Sequence, residues 1–150
     1  MPSVMLGDAV HRLMHAYKHL LLEGIREQQI DLPVTHIRAL KGICRTPQIT
    51  AHSIAQRMQR DKAQITRALN DLTGAGLIVK LDNPADRRSQ LLKPTPKGKQ
   101  VMAKLDAAED WAVKQLTRNL EADELAFFLR VSNTMADSVK QTPTADQGQT

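Results

Sequence analysis

The sequence is poor in cysteine and in aromatic residues, and each shortage excludes a class of protein. Its 150 residues contain one cysteine, Cys44, and four aromatic side chains. A single cysteine cannot form a disulfide within the chain or build a cysteine-rich zinc site. No apolar run approaches the roughly 18 residues of a membrane span, and the first residues lack the basic opening of a secretory signal. We therefore expect a cytoplasmic protein with no membrane partner.

The sequence also lacks the short motifs that mark common enzyme sites. It has no glycine-rich phosphate loop, no nucleophile-elbow pattern and no His-Glu-x-x-His. Two of its five histidines, His36 and His52, stand apart in the sequence from the other three. Isolated histidines are more often structural or exposed than catalytic. We expect no enzymatic activity and no cofactor.

What the chain does contain is an uneven distribution of charge. Residues 50–100 carry ten basic and four acidic side chains, a net charge of +6, which exceeds the +5 of the whole chain. Residues 1–49 carry a net charge of +2, and residues 101–150 carry −3. This pattern predicts that the middle of the chain binds a polyanion and that the two ends have a different function.

The positions of the aromatic residues favour double-stranded over single-stranded nucleic acid as that polyanion. Proteins that bind single strands stack the bases on aromatic side chains. The four here are Tyr17, Trp111, Phe127 and Phe128, and none of them lies in the basic middle. Duplex DNA is therefore the predicted partner.

The spacing of apolar residues predicts a mainly α-helical chain. A long amphipathic helix is expected from about Val4 to Gln28, and Pro33 is placed in the first turn of a second helix. Two short helices follow, with Thr50 and Asp61 as their N-caps. Thr95 is the predicted N-cap of a fifth helix, and a sixth helix follows it.

Between the fourth and fifth helices the pattern changes to that of a β-hairpin. Leu77–Leu81 and Gln90–Lys93 are β-prone runs, and the turn formers of Asp82–Ser89 separate them. Gly74 and Gly76 are expected to end the fourth helix, because glycine accepts a left-handed backbone.

A short helix, a tight turn, a second helix and a hairpin with arginines at its tip form the order of a winged helix-turn-helix. The major groove of B-DNA admits one α-helix, and the narrow minor groove attracts an inserted arginine. On the fourth helix, Gln64, Thr66 and Arg67 lie off the apolar stripe and can reach base edges. The small Ala63 permits close approach to the groove.

Four stretches of the chain resemble the MarR family of bacterial transcriptional regulators. They are Ile49–Met58, Asp61–Leu69, Leu72–Ile78 and Asp82–Arg88, within a similarity that runs from about residue 32 to residue 102. The last stretch is the most specific of them. The resemblance implies a regulator of transcription that acts as a repressor rather than an activator. It also implies a homodimer, which would read a pseudo-palindromic operator.

The resemblance assigns roles to the tip of the hairpin. It implies that Arg88 enters the minor groove, that Asp86 orients the guanidinium of Arg88, and that Arg87 contacts phosphate. Together with the outward residues of the two short helices, these complete the predicted DNA-binding set. The set is Thr50, Arg57, Arg60, Lys62, Ala63, Gln64, Thr66, Arg67, Asn70, Asp86, Arg87 and Arg88.

The resemblance also implies how the chain is organised. We expect one domain over residues 1–140. Within it, residues 1–30 and 100–140 supply dimerisation helices, and residues 32–99 form the winged helix-turn-helix lobe that binds DNA. Residues 141–150 are polar and are predicted to be a disordered tail.

Two prolines depart from the family pattern. Pro94 stands where the family has a leucine, and Pro33 replaces a Thr or Ser helix cap. Because proline cannot donate to a sheet ladder, we expect the second strand of the hairpin to end early, before Pro94.

Members of the family commonly bind a small aromatic or anionic effector between the dimer helices and the DNA-binding lobe. Such a ligand would change the spacing of the two recognition helices. By residue type and approximate location, Tyr17, His36, Arg38 and Trp111 are the candidate effector-binding residues.

Two alternatives within the same family remain open from the sequence. His11, His15, His19 and Glu23 follow one another at four-residue spacing on one face of the first helix, which could begin a metal site. The competing interpretation is a polar exposed or dimer-packed face, and no metal is expected. Cys44 could sense oxidants, but its place on an apolar stripe favours a small buried hydrophobic residue.

Overall fold

Residues 2–140, the part of the chain that the computed structural model describes, form six helices and one antiparallel hairpin. The helices are α1 (Pro2–Glu27), α2 (Val34–Arg45), α3 (Ala51–Met58), α4 (Lys62–Gly74), α5 (Pro96–Thr117) and α6 (Ala122–Lys140). The strands are β1 (Ile78–Asp82) and β2 (Gln90–Pro94). The predicted tail, residues 141–150, lies outside the described residues. The mainly α fold class with a winged helix-turn-helix is confirmed.

None of the helices in the described range is long and apolar enough to cross a membrane.

All three predicted N-caps are confirmed. The Thr50 Oγ1 accepts a hydrogen bond from the Ser53 backbone N–H at 3.2 Å, and the Asp61 Oδ1 accepts one from the Ala63 N–H at 3.3 Å. Thr95 caps α5 in the same way. Each side chain satisfies a backbone donor that the first turn of a helix leaves without a partner. The sequence could show these caps because capping depends on residues only two or three positions apart.

One predicted detail of the helix ends is wrong and another is confirmed. Pro33 has a ψ of 150°, which is extended, so it precedes α2 and does not lie in its first turn. Gly74 and Gly76 end α4 as predicted: Gly74 is its last helical residue, and Gly76 follows with the left-handed backbone, with φ of 74°.

The prediction that β2 ends before Pro94 is wrong, because the strand continues through Pro94. The next residue, Thr95, still donates its backbone N–H to the Leu77 carbonyl at 3.0 Å, on the β1 side. Two residues before Pro94, the Leu92 N–H points to the other edge and donates to Ile49 at 2.9 Å. Successive residues of a strand face opposite edges. The nitrogen of Pro94 therefore faces away from β1, and the hairpin loses no hydrogen bond.

The hydrophobic core occupies the lobe built by α2, α3, α4 and the hairpin. Its buried members are Ala39, Leu40, Ile43, Ile49, Ile54, Met58, Ile65, Leu69, Leu72, Leu77, Ile78 and Leu92. A smaller cluster joins this lobe to α5 through Ile37, Met102 and Leu105. Cys44 is half-buried and packs against both clusters.

The long helices continue beyond the lobe. The helix α5 begins within the lobe and then packs against α1, where a Cβ added to Gly24 would lie 3.0 Å from the Ala108 carbonyl oxygen. The predicted boundary between residues 99 and 100 therefore falls inside α5. Helix α6 contains no buried residue. Large apolar side chains of α1 and α6 remain exposed in the single chain.

Candidate nucleic-acid interface

Helix α4 presents one face to the core and the other to solvent. Its apolar stripe is almost completely buried, with Ile65 at 1% and Leu72 at 0% exposure. The outward residues are Lys62, Ala63, Gln64, Thr66, Arg67 and Asn70, and all of them are exposed. Because the stripe anchors the helix, its polar face is held at a defined orientation on the surface of the lobe.

A short turn connects α3 to α4. Its first residue, Gln59, has φ of 49° and ψ of 39°, a left-handed conformation that ends α3. Two residues later Asp61 caps α4. The turn leaves only three residues between the two helices, which is the spacing of a helix-turn-helix.

The tip of the hairpin is ordered by two side chains that bind its own backbone. The Asn83 Oδ1 accepts from the Ala85 N–H at 3.0 Å, and its Nδ2 donates to the Ser89 Oγ at 3.1 Å. The Asp86 Oδ1 accepts from the Arg88 backbone N–H at 2.9 Å. The chain of the tip is thus held in shape while the side chains of Arg88 and its neighbour Arg87 stay exposed.

In the unbound chain Asp86 binds the backbone of the hairpin tip, and its role of orienting the Arg88 guanidinium on DNA stays a prediction. Its carboxylate binds the main chain of Arg88, and within residues 2–140 no hydrogen bond joins it to the Arg88 guanidinium. In the unbound chain Asp86 therefore stabilises the turn, because its carboxylate accepts from an amide two residues later.

The base of the hairpin is attached to the first turn of α5. The Thr95 Oγ1 donates to the Gly76 carbonyl at 2.6 Å, and the Lys97 Nζ donates to the Ala75 carbonyl at 3.0 Å. Gly98 lies so close to the Leu77 carbonyl that no Cβ fits between them. This attachment fixes the direction in which the hairpin leaves the lobe.

A groove of about 770 Å³ separates the hairpin from α3 and α4. Six of the predicted DNA-binding residues border it: Thr50, Arg60, Lys62, Thr66, Arg87 and Arg88. The hairpin arginines therefore share one concave surface with the start of the recognition helix. Ala63 and Asn70 border a shallower surface on α4, and Arg67 borders that surface and a small cavity beside α2.

Two residues of the predicted set are engaged within the lobe. The Arg57 guanidinium donates to the Thr46 Oγ1 at 2.5 Å, and Arg57 does not border the groove. The Thr50 hydroxyl is occupied as the cap of α3 and contacts the Ser53 hydroxyl at 2.9 Å. Both residues position α3.

Sequence reasoning missed Lys80 as part of this surface. Lys80 lies on β1, borders the groove and donates from its Nζ to the Asn70 Oδ1 at 3.0 Å. It links the hairpin directly to the outer face of α4. Alternation along the strand could have identified Lys80 from the sequence. Lys80 falls between Val79 and Leu81 in a β-prone run and so lies on the opposite face of the strand from both.

The four candidate effector residues lie in different places. His36 borders a cavity of about 240 Å³ with Arg60, Gln64 and Arg67, and its Nε2 lies 2.9 Å from the Asp71 Oδ2 on α4. Trp111 borders another cavity, of about 430 Å³, between α5 and α1. Tyr17 is half-buried on α1, and Arg38 is exposed on α2. Within residues 2–140, His36 and Trp111 therefore border two different cavities.

The histidine stripe on α1 is exposed, and His19 approaches Glu23 only to 3.9 Å. Among residues 2–140, no group of three or more His, Cys, Asp or Glu side chains is placed to hold a metal ion. Burial raises the pKa of the Cys44 thiol, and the nearby Asp106 adds to the rise. Since a reactive cysteine requires a lowered pKa, this environment opposes thiolate chemistry at Cys44.

Comparison with known proteins agrees with this architecture. The model of the MarR family matches residues 30–89. The multiple antibiotic resistance protein MarR of Salmonella typhimurium is 33% identical over 98 residues, which cover 65% of this chain and 68% of that protein. A Thauera aromatica protein, described as a transcriptional regulatory protein for the hcr operon, is 35% identical over 69 residues. That match covers 46% of this chain and 42% of the relative.

Similarity extends to solved structures. A mutant of MarR from Escherichia coli, crystallised with operator DNA, superposes with a TM-score of 0.71 at 26% sequence identity. The match covers 89% of this chain and 95% of the other. The winged helix-turn-helix, the family model over the lobe and the identity shared with MarR lead to one assignment. This chain belongs to the MarR family of transcriptional regulators, which bind DNA and are not enzymes.

Proposed function

We propose that the protein is a cytoplasmic repressor that binds a pseudo-palindromic operator as a homodimer. Each protomer would insert α4 into a major groove and the tip of its hairpin into the adjacent minor groove. Arg67 and Gln64 would read base edges, and Arg88 would occupy the minor groove. Arg60, Lys62 and Arg87 would contact phosphates.

The observation that carries this proposal is the single concave surface shared by helix and hairpin. Lys62 and Thr66 of α4 border the same groove as Arg87 and Arg88 of the hairpin. A duplex presents its major and minor grooves side by side, so a reader of both needs two elements on one side of the protein. The solved complex of the E. coli MarR mutant with operator DNA supports duplex DNA as the ligand.

Selection of bound duplexes from a random pool tests the proposal. We expect the recovered sites to contain two inverted half-sites. Their centres should lie a whole number of DNA helical turns apart, since one turn of about 34 Å separates successive major grooves on the same side of the duplex. Affinity for the recovered site is expected to fall steeply with salt, with a log–log slope of about −0.9 for each phosphate contact. Recovery of asymmetric single sites, or affinity independent of salt, would contradict the proposal.

The exposed apolar side chains of the long helices support a second copy of the chain as partner. Leu6 and Val10 of α1 and Phe128, Leu129 and Met135 of α6 are all exposed in the single chain. Those of α6 recur at helical spacing, so they form one continuous face. Contiguous apolar faces of this kind mark association surfaces. An effector that changed the arrangement of two such protomers would alter the distance between their recognition helices.

Introducing a charge on this face is expected to produce a monomer. Phe128→Glu would bury an unpaired carboxylate in the interface, which is too costly for the dimer to form. Sedimentation velocity is expected to show half the mass of the wild type, and the operator affinity is expected to fall by at least about 100-fold because one half-site is lost.

Thr134→Glu is the matched control, since Thr134 is exposed on the opposite face of α6. It introduces the same charge on the same helix, and we expect it to remain dimeric. A dimeric Phe128→Glu protein would show that α6 does not form the interface.

A further inference from the structure

Four charged side chains join the DNA-binding lobe to the long helix α5. The Lys41 Nζ lies 2.6 Å from the Glu109 Oε1, and the Arg45 Nη2 lies 3.1 Å from the Glu109 Oε2. The same Arg45 nitrogen lies 2.9 Å from the Asp106 Oδ1. We name this group of Lys41, Arg45, Asp106 and Glu109 the α2–α5 joint.

The position of the joint distinguishes it from surface ion pairs. Helix α2 belongs to the lobe, since its Leu40 and Ile43 lie in the main core. Helix α5 leaves the lobe and packs against α1, with Ala108 close to Gly24. Because Glu109 is adjacent to Ala108, the joint lies where the lobe meets the helices that we assign to dimerisation.

Glu109 is the centre of the joint. Its side chain is only 18% exposed, and both of its oxygens accept from cations of α2. Burial alone would raise the pKa of Glu109, but the hydrogen bonds from Lys41 and Arg45 outweigh it and hold the pKa below the ordinary glutamate value. The carboxylate is therefore ionised and paired at neutral pH.

The rest of the contact between α2 and α5 is apolar. Ile37 packs against Met102 and Leu105 one to two turns earlier along α5. Hydrophobic contact depends on buried area and carries little directional preference. Charge-assisted hydrogen bonds are directional and stronger than neutral ones. The joint is thus the part of this contact that can define an angle between the lobe and α5.

We infer that Glu109 is a positioning residue that, through Lys41 and Arg45, sets the half-site spacing that the protein selects. The inference rests on the proposed homodimer. If α5 is fixed to the dimer, the angle between α5 and the lobe determines how far apart the two α4 helices lie. One added base pair rotates a half-site by about 34° and shifts it by about 3.4 Å. A rigid joint would reject such a site, and a loosened joint would tolerate it.

The experiment measures affinity for the selected operator and for versions with one base pair added to or removed from the spacer. The wild type is expected to bind the altered spacers at least about tenfold more weakly. Glu109→Gln keeps the shape of the side chain and removes its charge. We expect this variant to bind the altered spacers less than about threefold more weakly than the selected operator. Arg45→Gln removes two of the three contacts from a half-exposed residue, and we expect the same change.

Asp110→Asn is the matched control. Asp110 is the next residue on α5 and is largely exposed, and its one ion pair among residues 2–140 is with Lys114 of the same helix, at 3.4 Å. We expect it to keep the spacing preference of the wild type. A ratio of affinities is unaffected by a uniform loss of folded protein, so lower stability alone does not imitate the effect.

The outcomes separate this inference from the proposed function. If Glu109→Gln and Arg45→Gln both discriminate between spacers as strongly as the wild type, the joint does not set the spacing. If Glu109→Gln does not fold, Arg45→Gln decides alone. If the wild type itself binds no inverted repeat, the proposed function fails, and the inference fails with it.

Discussion

Replacing Gly98 with alanine is expected to destabilise the protein severely. An alanine Cβ at this position would overlap the Leu77 carbonyl oxygen and lie 3.0 Å from its carbonyl carbon. Both obstacles are backbone atoms, so no side chain can rotate away. Relief would require α5 to separate from the hairpin, and the hydrogen bond from Thr95 to Leu77 would then break.

We expect Gly98→Ala to cost about 4 kcal/mol or more in the free energy of unfolding, at the upper end of single-substitution effects. Urea denaturation followed by circular dichroism measures this loss. For a domain whose stability lies near the lower end of the usual range, at about 5 kcal/mol, the variant would retain about 1 kcal/mol and be partly unfolded at ambient temperature.

Gly74→Ala is the control for this prediction. Gly74 is the last residue of α4, and nothing lies within 4 Å of a Cβ built on it. Alanine is favoured over glycine in a helix by about 0.5–1 kcal/mol, so this variant is expected to be as stable as the wild type or slightly more stable. If the two variants had equal stability, the contact between Gly98 and Leu77 would not be tight in solution.

Arg67→Ala and Arg88→Ala are expected to weaken operator binding with different signatures. Arg67 lies on the exposed face of α4, where its guanidinium can read a guanine in the major groove. Its loss is expected to cost about 1–3 kcal/mol of binding and to relax specificity at one base pair in each half-site. Arg88 lies at the tip of the hairpin, and its loss is expected to weaken binding most where A·T pairs narrow the minor groove.

Competition binding with a library of single-base variants measures both effects. Lys114→Ala serves as the control, because Lys114 is an exposed cation of α5, outside the lobe, and its removal changes the net charge by the same amount. We expect it to bind almost as well as the wild type. If Arg67→Ala lost the same affinity for every sequence, Arg67 would be a phosphate contact. If Arg88→Ala lost the same affinity for every sequence, Arg88 would have no role in the minor groove.

The two halves of the interface differed in how far they could be predicted. The outward face of α4 follows from helical periodicity, since Ile65, Ala68 and Leu69 mark the buried side and leave Gln64 and Thr66 on the other. Which of the outward residues share a groove with the hairpin did not follow from periodicity. That depends on the angle at which the hairpin leaves the lobe, and distant contacts at Gly98 set this angle.

Errors and omissions arose where a residue's role depends on its distant neighbours. The prediction for Pro94 applied a correct rule, that proline cannot donate, without knowing which edge of β2 its nitrogen faces. Arg57 was placed among the outward residues that bind DNA, and the sequence could not show that it donates to Thr46 eleven residues earlier in the unbound chain. Lys80 was counted in the basic middle but was not placed beside Asn70.

The sequence by itself determined the helices, the N-caps of α3, α4 and α5, the order of a winged helix-turn-helix and the concentration of positive charge in its middle. These follow from propensity, capping and periodicity, which act over a few neighbouring residues. Only the tertiary structure decided the direction of the hairpin, the groove beside α4 and the α2–α5 joint. The joint pairs residues more than 60 positions apart, and such contacts depend on how the helices pack rather than on the local pattern of either one.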